Sequence, residues 1–286
     1  NDYVGQEVVV SATRTINSIA DAGGSTLTVI SAEQIRNSGK PTVAEVINGT
    51  PGIDLSTKGG LGTAPSIYVR GADAKNVLIL MDGVPFNDPS TTNRLADLSN
   101  LTVDNIERIE IVRGPVSVLY GSNATAGIIN IITRQGKGKP QFTVGAEGGA
   151  YGTWKAYGGS TGKIDAFRYS VNLANLKSEG FSIADDRNPG ILHNGNTDEK
   201  DGYRNTTLST NFGYQFSPNV DLSAIFRYTD ATADLDDTYS SFSVDRVGSV
   251  PEPAGLKNKH TDSTEMSGRM ALKAKVDPVA NTLYYN

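Results

Sequence analysis

The sequence predicts an α+β domain followed by an antiparallel transmembrane β-barrel region, and three observations lead to that fold class. The first half mixes short helical patterns with strand-sized apolar runs, whereas the second half alternates apolar and polar residues with a period of two. Connections in the second half alternate between short and long, as in barrels whose strands cross a membrane. Since no apolar run approaches the ~18 residues of a transmembrane helix, strands are the expected membrane-crossing elements.

Composition narrows the class of protein before any motif is considered. Glycine occurs 31 times in 286 residues and 37% of the residues are hydrophobic, which favours strands and turns over a helical bundle. The formal net charge is −5, so nucleic acid is not an expected partner. The sequence has no cysteine, which excludes a zinc-thiolate site and a cysteine nucleophile. It shows no catalytic constellation, and we predict that the protein is not an enzyme and uses no catalytic cofactor.

The first half contains patterns for two short helices and four strands. Ser31 and Gln34 fit a capping box at the start of the first helix, and Gly39 fits its end. Residues 42–48 predict a second helix with one apolar face. The pair Asp82-Gly83 predicts a hairpin turn. The four strands are predicted at residues 66–70, 77–81, 106–112 and 128–133.

The second half alternates in a way that gives a sheet one apolar and one polar face. In residues 208–216, Leu208 and Phe212 share one face, while Ser209 and Asn211 share the other. The same alternation occurs in residues 167–173, 220–229 and 266–276. Alternation by itself also fits a soluble β-sandwich with one wet face.

The connections between these strands favour the barrel over the sandwich. Short turns are predicted at residues 161–163, 217–219 and 277–280, and long polar loops at residues 177–202 and 231–262. Barrel strands that run up and down a membrane have short turns at one end and long loops at the other.

Seven short motifs run in order through the first 133 residues. They are EVVVSATR at 7–14, PGIDL at 51–55, SIYVRG at 66–71, VLILMDGV at 77–84, IERIEIVRGP at 106–115, YGS at 120–122 and AGIINIIT at 126–133. In this order they resemble the N-terminal region and plug domain of the TonB-dependent outer-membrane receptors. Each motif is weak alone, but the ordered set is highly specific.

The resemblance implies three parts: a TonB box and flexible segment at residues 1–14, a plug domain at 15–136, and the N-terminal portion of a barrel at 137–286. The complete barrel of this family is expected to have about 22 strands. Residues 137–286 supply six strands and the start of a seventh. Since about eight strands already leave an interior filled by side chains, we expect the remaining strands to be missing here or supplied by another chain.

The resemblance assigns the TonB box to Glu7, Val8, Val9, Val10 and Ser11. The three valines suit an extended chain, which could add as a strand to the sheet edge of a TonB-type energy-transducing protein. From these residues alone, an ordinary first strand is the alternative interpretation.

For function, the resemblance implies energised, TonB-coupled uptake of a large, scarce solute through the outer membrane of a Gram-negative bacterium. Within the family the motifs are most similar to those of the cobalamin transporters, so cobalamin or a related corrinoid is the expected solute. Uptake of a ferric siderophore or haem is the alternative within the family. A passive surface receptor without energised import and a soluble binding protein are alternatives of other classes. The expected partners are the solute, the TonB-type protein and outer-membrane lipid.

The resemblance places ligand contacts on two outward loops of the plug, at residues 57–65 and 86–94. Neither loop carries a recognisable chemical signature. The candidate ligand-binding residues are Lys58, Leu61, Thr63, Asn87, Thr91, Thr92 and Asn93.

Two acidic stretches in the long connections carry candidate metal ligands. Ca²⁺ takes about six to eight oxygen ligands, often from several carboxylates, and the resemblance implies calcium between outer loops. Lys200 lies within the first stretch, and solvated loop charge is the alternative interpretation. The candidate ligands are Asp198, Asp201, Asp230, Asp236, Asp237 and Asp245.

Overall fold

The computed structural model describes residues 26–57, 59–87, 93–114, 124–181, 200–235, 259–276 and 281–282 of the chain. None of the helices in these ranges is long and apolar enough to cross a membrane.

Two short helices in the N-terminal half begin and end where the sequence predicts. Helix α1, Ala32–Ser38, has the predicted capping box: the Ser31 hydroxyl accepts from the Gln34 backbone N–H, and the Gln34 side chain accepts from the Ser31 N–H. Gly39 ends α1 with φ of 64°, a conformation that glycine adopts without steric cost. Helix α2, Val43–Asn48, is capped by Thr42.

The helices pack against a five-stranded sheet, which confirms the predicted α+β domain. Within the described residues its strand order is β1-β6-β7-β4-β5; β4 and β7 are parallel, and the other neighbours are antiparallel. The strands β2 and β3 form a separate antiparallel pair. Isoleucines of β6 and β7 and the buried faces of α1 and α2 form the core. The strands are β1 Thr26–Ser31, β2 Ile53–Ser56, β3 Ser66–Val69, β4 Val77–Met81, β5 Val84–Pro85, β6 Ile106–Arg113 and β7 Gly127–Thr133.

The described part of the C-terminal half is a seven-stranded antiparallel sheet whose neighbours follow the order of the chain. Strand β7 ends at Thr133 and β8 begins at Gln141, on either side of the predicted domain boundary at residue 136. The sheet has six long strands and one strand of two residues, as predicted. These strands are β8 Gln141–Gly148, β9 Trp154–Ile164, β10 Phe167–Ser178, β11 Tyr203–Ser217, β12 Val220–Leu235, β13 Lys259–Val276 and β14 Asn281–Thr282.

One predicted turn in this sheet is wrong, and the reason is a glycine. Residues 161–163 lie inside β9, and the chain turns instead at Asp165, which has φ of 51°. A Cβ on Gly162 would lie 2.6 Å from the Cα of Pro140, so the close passage of the chain before β8 excludes a side chain there. That requirement produces a glycine-containing stretch that resembles a turn.

The other predicted connections agree with the structure except at their ends. The turn at 217–219 lies between β11 and β12, and the loop predicted at 177–202 separates β10 from β11. The loop predicted at 231–262 is shorter, because β12 continues to Leu235 and β13 begins at Lys259. The turn predicted at 277–280 lies outside the described residues.

Candidate functional site

The seven-stranded sheet buries its polar face and exposes its apolar face, which is the reverse of a soluble sheet. On β11, Asn205 and Ser209 are only 1% and 4% exposed, whereas Tyr214 on the other face is 43% exposed. On β13, the outward Met266 is 69% exposed. The polar face lies against the N-terminal domain, and the apolar face has the polarity that contact with lipid requires.

One segment of the N-terminal domain, residues 99–105, contacts five consecutive strands of this polar face; we call it the anchor segment. Its first contacts are made by Asn100, which is 5% exposed. The Asn100 Oδ1 accepts from the Tyr203 hydroxyl of β11 at 3.0 Å, and its Nδ2 donates to Glu265 Oε1 of β13 at 2.9 Å. The Asn205 side chain of β11 donates to the Asn100 carbonyl at 3.1 Å.

The rest of the anchor segment reaches the other strands through side chains. The Arg227 guanidinium of β12 donates to Thr102 Oγ1 at 3.3 Å, and it also donates to Ser209 Oγ of the neighbouring β11 at 3.2 Å. The Ser170 hydroxyl of β10 donates to Asn105 at 3.2 Å. Several bonds thus cross between domain and wall, so their sum rather than any one of them holds the two parts together.

A buried ion pair joins the anchor segment to β9. Lys155 Nζ lies 2.9 Å from Asp104 Oδ1, and the two side chains are 6% and 4% exposed. A second carboxylate, Glu147 of β8, lies 3.5 Å from the same ammonium group. Removing one partner of such a pair typically costs about 3–5 kcal/mol, because the other charge stays buried.

The Asp82-Gly83 turn is the second point at which the N-terminal domain is fixed. The Asp82 carboxylate accepts from the Thr133 backbone N–H at 2.9 Å and from its hydroxyl at 2.8 Å. Arg269 of β13 donates to the Asp82 carbonyl at 2.5 Å. Burial raises the pKa of the Asp82 carboxyl above its usual value, although the hydrogen bonds from Thr133 act in the opposite direction.

Two arginines hold the edge strand β1 in place. The Arg70 guanidinium donates to Thr26 Oγ1 at 2.7 Å. Arg113 of β6 donates to the Thr28 hydroxyl and to the Pro51 carbonyl. Burial lowers the pKa of Arg113, and the charge of the nearby Arg70 adds to that effect. Both contacts tie β1, the first described strand, to the rest of the domain.

Of the predicted ligand residues in the first loop, Leu61 lies against the barrel wall. Leu61 is half-buried and packs against a cluster that includes Leu176 and Tyr203. Thr63 is half-buried, and its hydroxyl donates to the Gly60 carbonyl. Lys58 lies outside the described residues. Leu61 and Thr63 remain predicted ligand contacts, although part of the surface of each side chain is already buried within the protein.

In the second loop, the Asn87 carboxamide is engaged by the backbone. Its Oδ1 accepts from the Ile79 N–H at 2.8 Å, and its Nδ2 donates to the Arg94 carbonyl at 2.9 Å. Asn93 is exposed. Asn93 is therefore the better placed of the two for a ligand, since Asn87 would have to exchange its bonds to the loop. Thr91 and Thr92 lie outside the described residues.

The two candidate metal ligands that the structure describes do not converge. Asp201 precedes β11 and is 4% exposed, whereas Asp230 points outward from β12. Asp230 pairs in register with Thr206, five residues beyond Asp201, which corresponds to about 16 Å along a strand. One calcium ion cannot bind both carboxylates, because its ligands lie within about 2.6 Å of the metal. Over the described ranges, no three His, Cys, Asp or Glu residues are grouped in a way that could hold a metal ion.

Several predicted residues lie outside the part of the chain that the structure describes. They are Glu7, Val8, Val9, Val10 and Ser11 of the predicted TonB box, and Asp198, Asp236, Asp237 and Asp245 of the predicted calcium loops. These assignments stay predictions.

The sequence interpretation missed the anchor segment, although a signal for it exists. Residues 99–105 alternate apolar side chains with short polar ones: Leu101 and Val103 enter the core, while Asn100, Thr102 and Asp104 face the wall. That pattern indicates a segment between an apolar core and a polar surface. Which strands it contacts depends on how the two parts dock.

Comparison with known proteins agrees with this architecture. Residues 20–128 match the model of the TonB-dependent receptor plug domain. The vitamin B12 transporter BtuB of Photobacterium profundum is 30% identical over 241 residues, which are 83% of this chain and 38% of that protein. BtuB of Vibrio vulnificus is 28% identical over 268 residues, which are 93% of this chain and 42% of that protein. The chain thus spans about two fifths of the length of these curated relatives.

A solved structure shows the same fold. The siderophore receptor PirA of Acinetobacter baumannii matches with a TM-score of 0.66 at 18% identity, over 88% of this chain and 38% of that one. The plug model, the sequence relatives and the polar wall filled by an α+β domain lead to one conclusion: the chain belongs to the TonB-dependent receptor family and comprises a plug domain with part of its barrel.

Proposed function

We propose that the full-length protein takes up a large, scarce solute through the outer membrane of a Gram-negative bacterium, with energy supplied by a TonB-type protein. The observation that carries this proposal is the polar wall face filled by the plug domain. The anchor segment contacts that face from β9 to β13, so solute cannot pass without movement of the plug. A passive pore has no need for such a closure. No catalytic step is part of the proposal.

Cobalamin or a related corrinoid is the solute that we propose. Support comes from sequence similarity to two vitamin B12 transporters over most of this chain. A ferric siderophore is the second candidate, because the fold is also that of the siderophore receptor PirA. The plug loops at 57–65 and 86–94 are the proposed contacts, with Asn93 exposed and Leu61 packed on the wall.

Energy is proposed to enter through the TonB box at Glu7–Ser11. The chain from this segment continues into β1, which lies at the edge of the plug sheet. A pull on the N-terminal side would load the pair Thr26↔Arg113 before the later pairs of β1 with β6. The hydrogen bonds from Arg70 and Arg113 to β1 resist that pull.

A proline in the TonB box tests the coupling. Val9→Pro removes a backbone donor and fixes φ, so strand addition to a partner fails. We expect uptake of labelled cobalamin to be lost while binding at the cell surface persists. Val9→Thr, which keeps both the donor and the β-branch, is the matched control and should transport normally. Wild-type uptake by Val9→Pro cells would show that this segment does not couple energy.

The identity of the solute is tested separately, with binding to the purified full-length protein. Cyanocobalamin and a ferric catecholate siderophore are titrated under the same conditions. Saturable binding of cobalamin alone supports the proposal. Saturable binding of the siderophore alone would contradict the assignment of cobalamin and leave energised uptake as the function.

A further inference from the structure

The outward face of the barrel wall changes from apolar to polar along one line across four strands. In register, the last apolar row consists of Leu173, Leu208, Tyr228 and Met266. Two residues farther toward the long connections, the next row consists of Asn175, Thr206, Asp230 and Thr264. Because all four strands change at the same level, the line marks the edge of the apolar band.

The row beyond that edge places two cations side by side. Lys177 of β10 and Arg204 of β11 are direct cross-strand partners on the outward face, and Trp154 of β9 is the other neighbour of Lys177. Like charges in this arrangement repel each other, since directly opposite side chains have Cβ atoms about 5 Å apart. Within the described residues, neither cation forms an ion pair, whereas the nearby Lys200 is 2.8 Å from Glu179.

Two outward acidic side chains on the neighbouring strands form hydrogen bonds with other groups. Asp262 accepts from the Thr232 hydroxyl at 2.9 Å, and Asp230 accepts from Thr264 at 3.4 Å. A recess of about 330 Å³ opens at the ends of β10, β11 and β12, and both Lys177 and Arg204 line it. Glu179 and Asp234 line the same recess, but Glu179 is paired with Lys200, so Lys177 and Arg204 leave an excess of positive charge at this concave surface.

The height of Lys177 and Arg204 above the apolar band can be compared with the headgroup layer of a lipid bilayer. Lys177 is four residues beyond Leu173, which is about 13 Å along a strand and about 9 Å along the membrane normal at a tilt of about 45°. The headgroup layer on each side of the hydrocarbon is about 5–8 Å thick, so the backbone of Lys177 lies at its outer edge and the side chain has to extend back toward the lipid phosphates. Lysine and arginine side chains extend their charged ends along such a boundary while the stems cover apolar surface.

We propose that Lys177 and Arg204 bind the phosphate of a phosphorylated lipid headgroup at the outer end of the barrel wall. A phosphate between the two cations replaces their repulsion by charge-assisted hydrogen bonds, and the guanidinium suits a phosphate geometrically. The acyl chains of the same lipid lie on the apolar rows below. This inference rests on the membrane placement proposed above.

The test uses full-length protein purified in a neutral detergent and titrated with phosphatidic acid, phosphatidylcholine of the same chains, or inorganic phosphate. Bound lipid per protein is counted by native mass spectrometry. Wild-type protein should retain phosphatidic acid preferentially, and Lys177→Gln with Arg204→Gln should reduce that retention by roughly tenfold or more. Lys40→Gln with Lys139→Gln makes the same change in net charge on two exposed lysines elsewhere, and should retain lipid normally.

Three other outcomes would contradict either the lipid site or the membrane placement. Equal retention by the wild type and the Lys177/Arg204 variant overturns the proposed site. Release of the lipid by millimolar inorganic phosphate would also overturn it, since the site would then be one for free phosphate rather than for a lipid. Protein that stays monodisperse without detergent would contradict the membrane placement itself, and so is distinguishable from failure of the lipid site alone.

Discussion

Gly62 shows at the scale of one residue how tightly the plug fits its wall. Its φ is 85°, and an added Cβ would lie 2.6 Å from the Cβ of Ala233 and 2.8 Å from the ring of Tyr203. Both conditions exclude a side chain. The same contact brings Leu61 onto the cluster around Tyr203, which itself donates to Asn100 in the anchor segment.

Gly62→Ala should therefore destabilise the full-length protein by about 1–3 kcal/mol, the usual cost of overpacking. Thermal unfolding in detergent, followed by circular dichroism, measures the change. Gly60→Ala is the matched control, because a Cβ there meets nothing within 4 Å. Equal midpoints for the two variants would show that the loop does not rest on the wall.

The raised pKa of the Asp82 carboxyl leads to a prediction about how the stability of the protein depends on pH. Its pKa is raised in the folded state, mainly by burial, so the folded protein binds this proton more tightly than the unfolded chain. The stability associated with this group is therefore fully present below its unfolded pKa of 3.8, and is lost as pH rises through the folded value. Asp82→Asn keeps an acceptor for Thr133 and cannot ionise.

The unfolding midpoint of Asp82→Asn relative to wild type should therefore rise as the pH increases above the unfolded pKa of 3.8. Differential scanning calorimetry over a series of pH values measures it. Asp54→Asn, which removes an exposed carboxyl of the same domain, is the matched control. A midpoint difference that stays constant with pH would contradict a raised pKa for Asp82 in the folded state.

At the scale of elements, the sequence predicts a helix or strand correctly where neighbouring residues in the chain determine it. The capping box at Ser31 and the glycine at Gly39 determine α1 without reference to the rest of the molecule. The wrong turn prediction at residues 161–163 has a different origin. Gly162 lies inside β9, and it must be a glycine because Pro140 packs too close to leave room for a side chain. The strand β1 was missed because its pairing with β6 joins residues more than 70 positions apart.

The calcium prediction concerns the long connections between the strands of the wall. Since Asp201 and Asp230 cannot share an ion, a calcium site must use carboxylates outside the described residues. Asp236→Ala with Asp237→Ala should therefore abolish most of the calcium heat in isothermal titration and weaken solute binding only when calcium is present.

Glu33→Ala with Asp54→Ala is the control for that experiment, because it makes the same change in charge at two exposed positions of the plug. Absence of any calcium heat in the wild-type protein would contradict the prediction and leave solvated loop charge as the explanation.

At the scale of the whole molecule, the sequence predicted which residues of the wall share a face but not what covers each face. Alternation puts Asn205 and Ser209 on one side of β11 and Tyr214 on the other, whether the sheet is a sandwich or a barrel. The structure decides between these two folds, because the polar side is the buried one. The docking of the anchor segment could not be predicted, since the hydrogen bonds of Asn100 and Arg227 depend on the relative position of two separately patterned parts.

The apolar outward face gives the last prediction, which tests the membrane placement of the wall. Phe226 lies within the apolar rows of β12, and Thr232 lies six residues farther on the same face of the same strand, beyond the edge of the band. Arginine on a lipid-facing strand costs about 2–4 kcal/mol at the bilayer midplane and about 0–1 kcal/mol near the interface. Phe226→Arg should therefore reduce the free energy of folding of the full-length protein into phosphatidylcholine vesicles far more than Thr232→Arg, as measured by urea titration. In a soluble sandwich both positions would face water, and arginine at Phe226 would be tolerated as well as arginine at Thr232. Equal effects of the two substitutions would thus contradict a lipid-facing wall, whereas a large difference between them would locate the bilayer on β12.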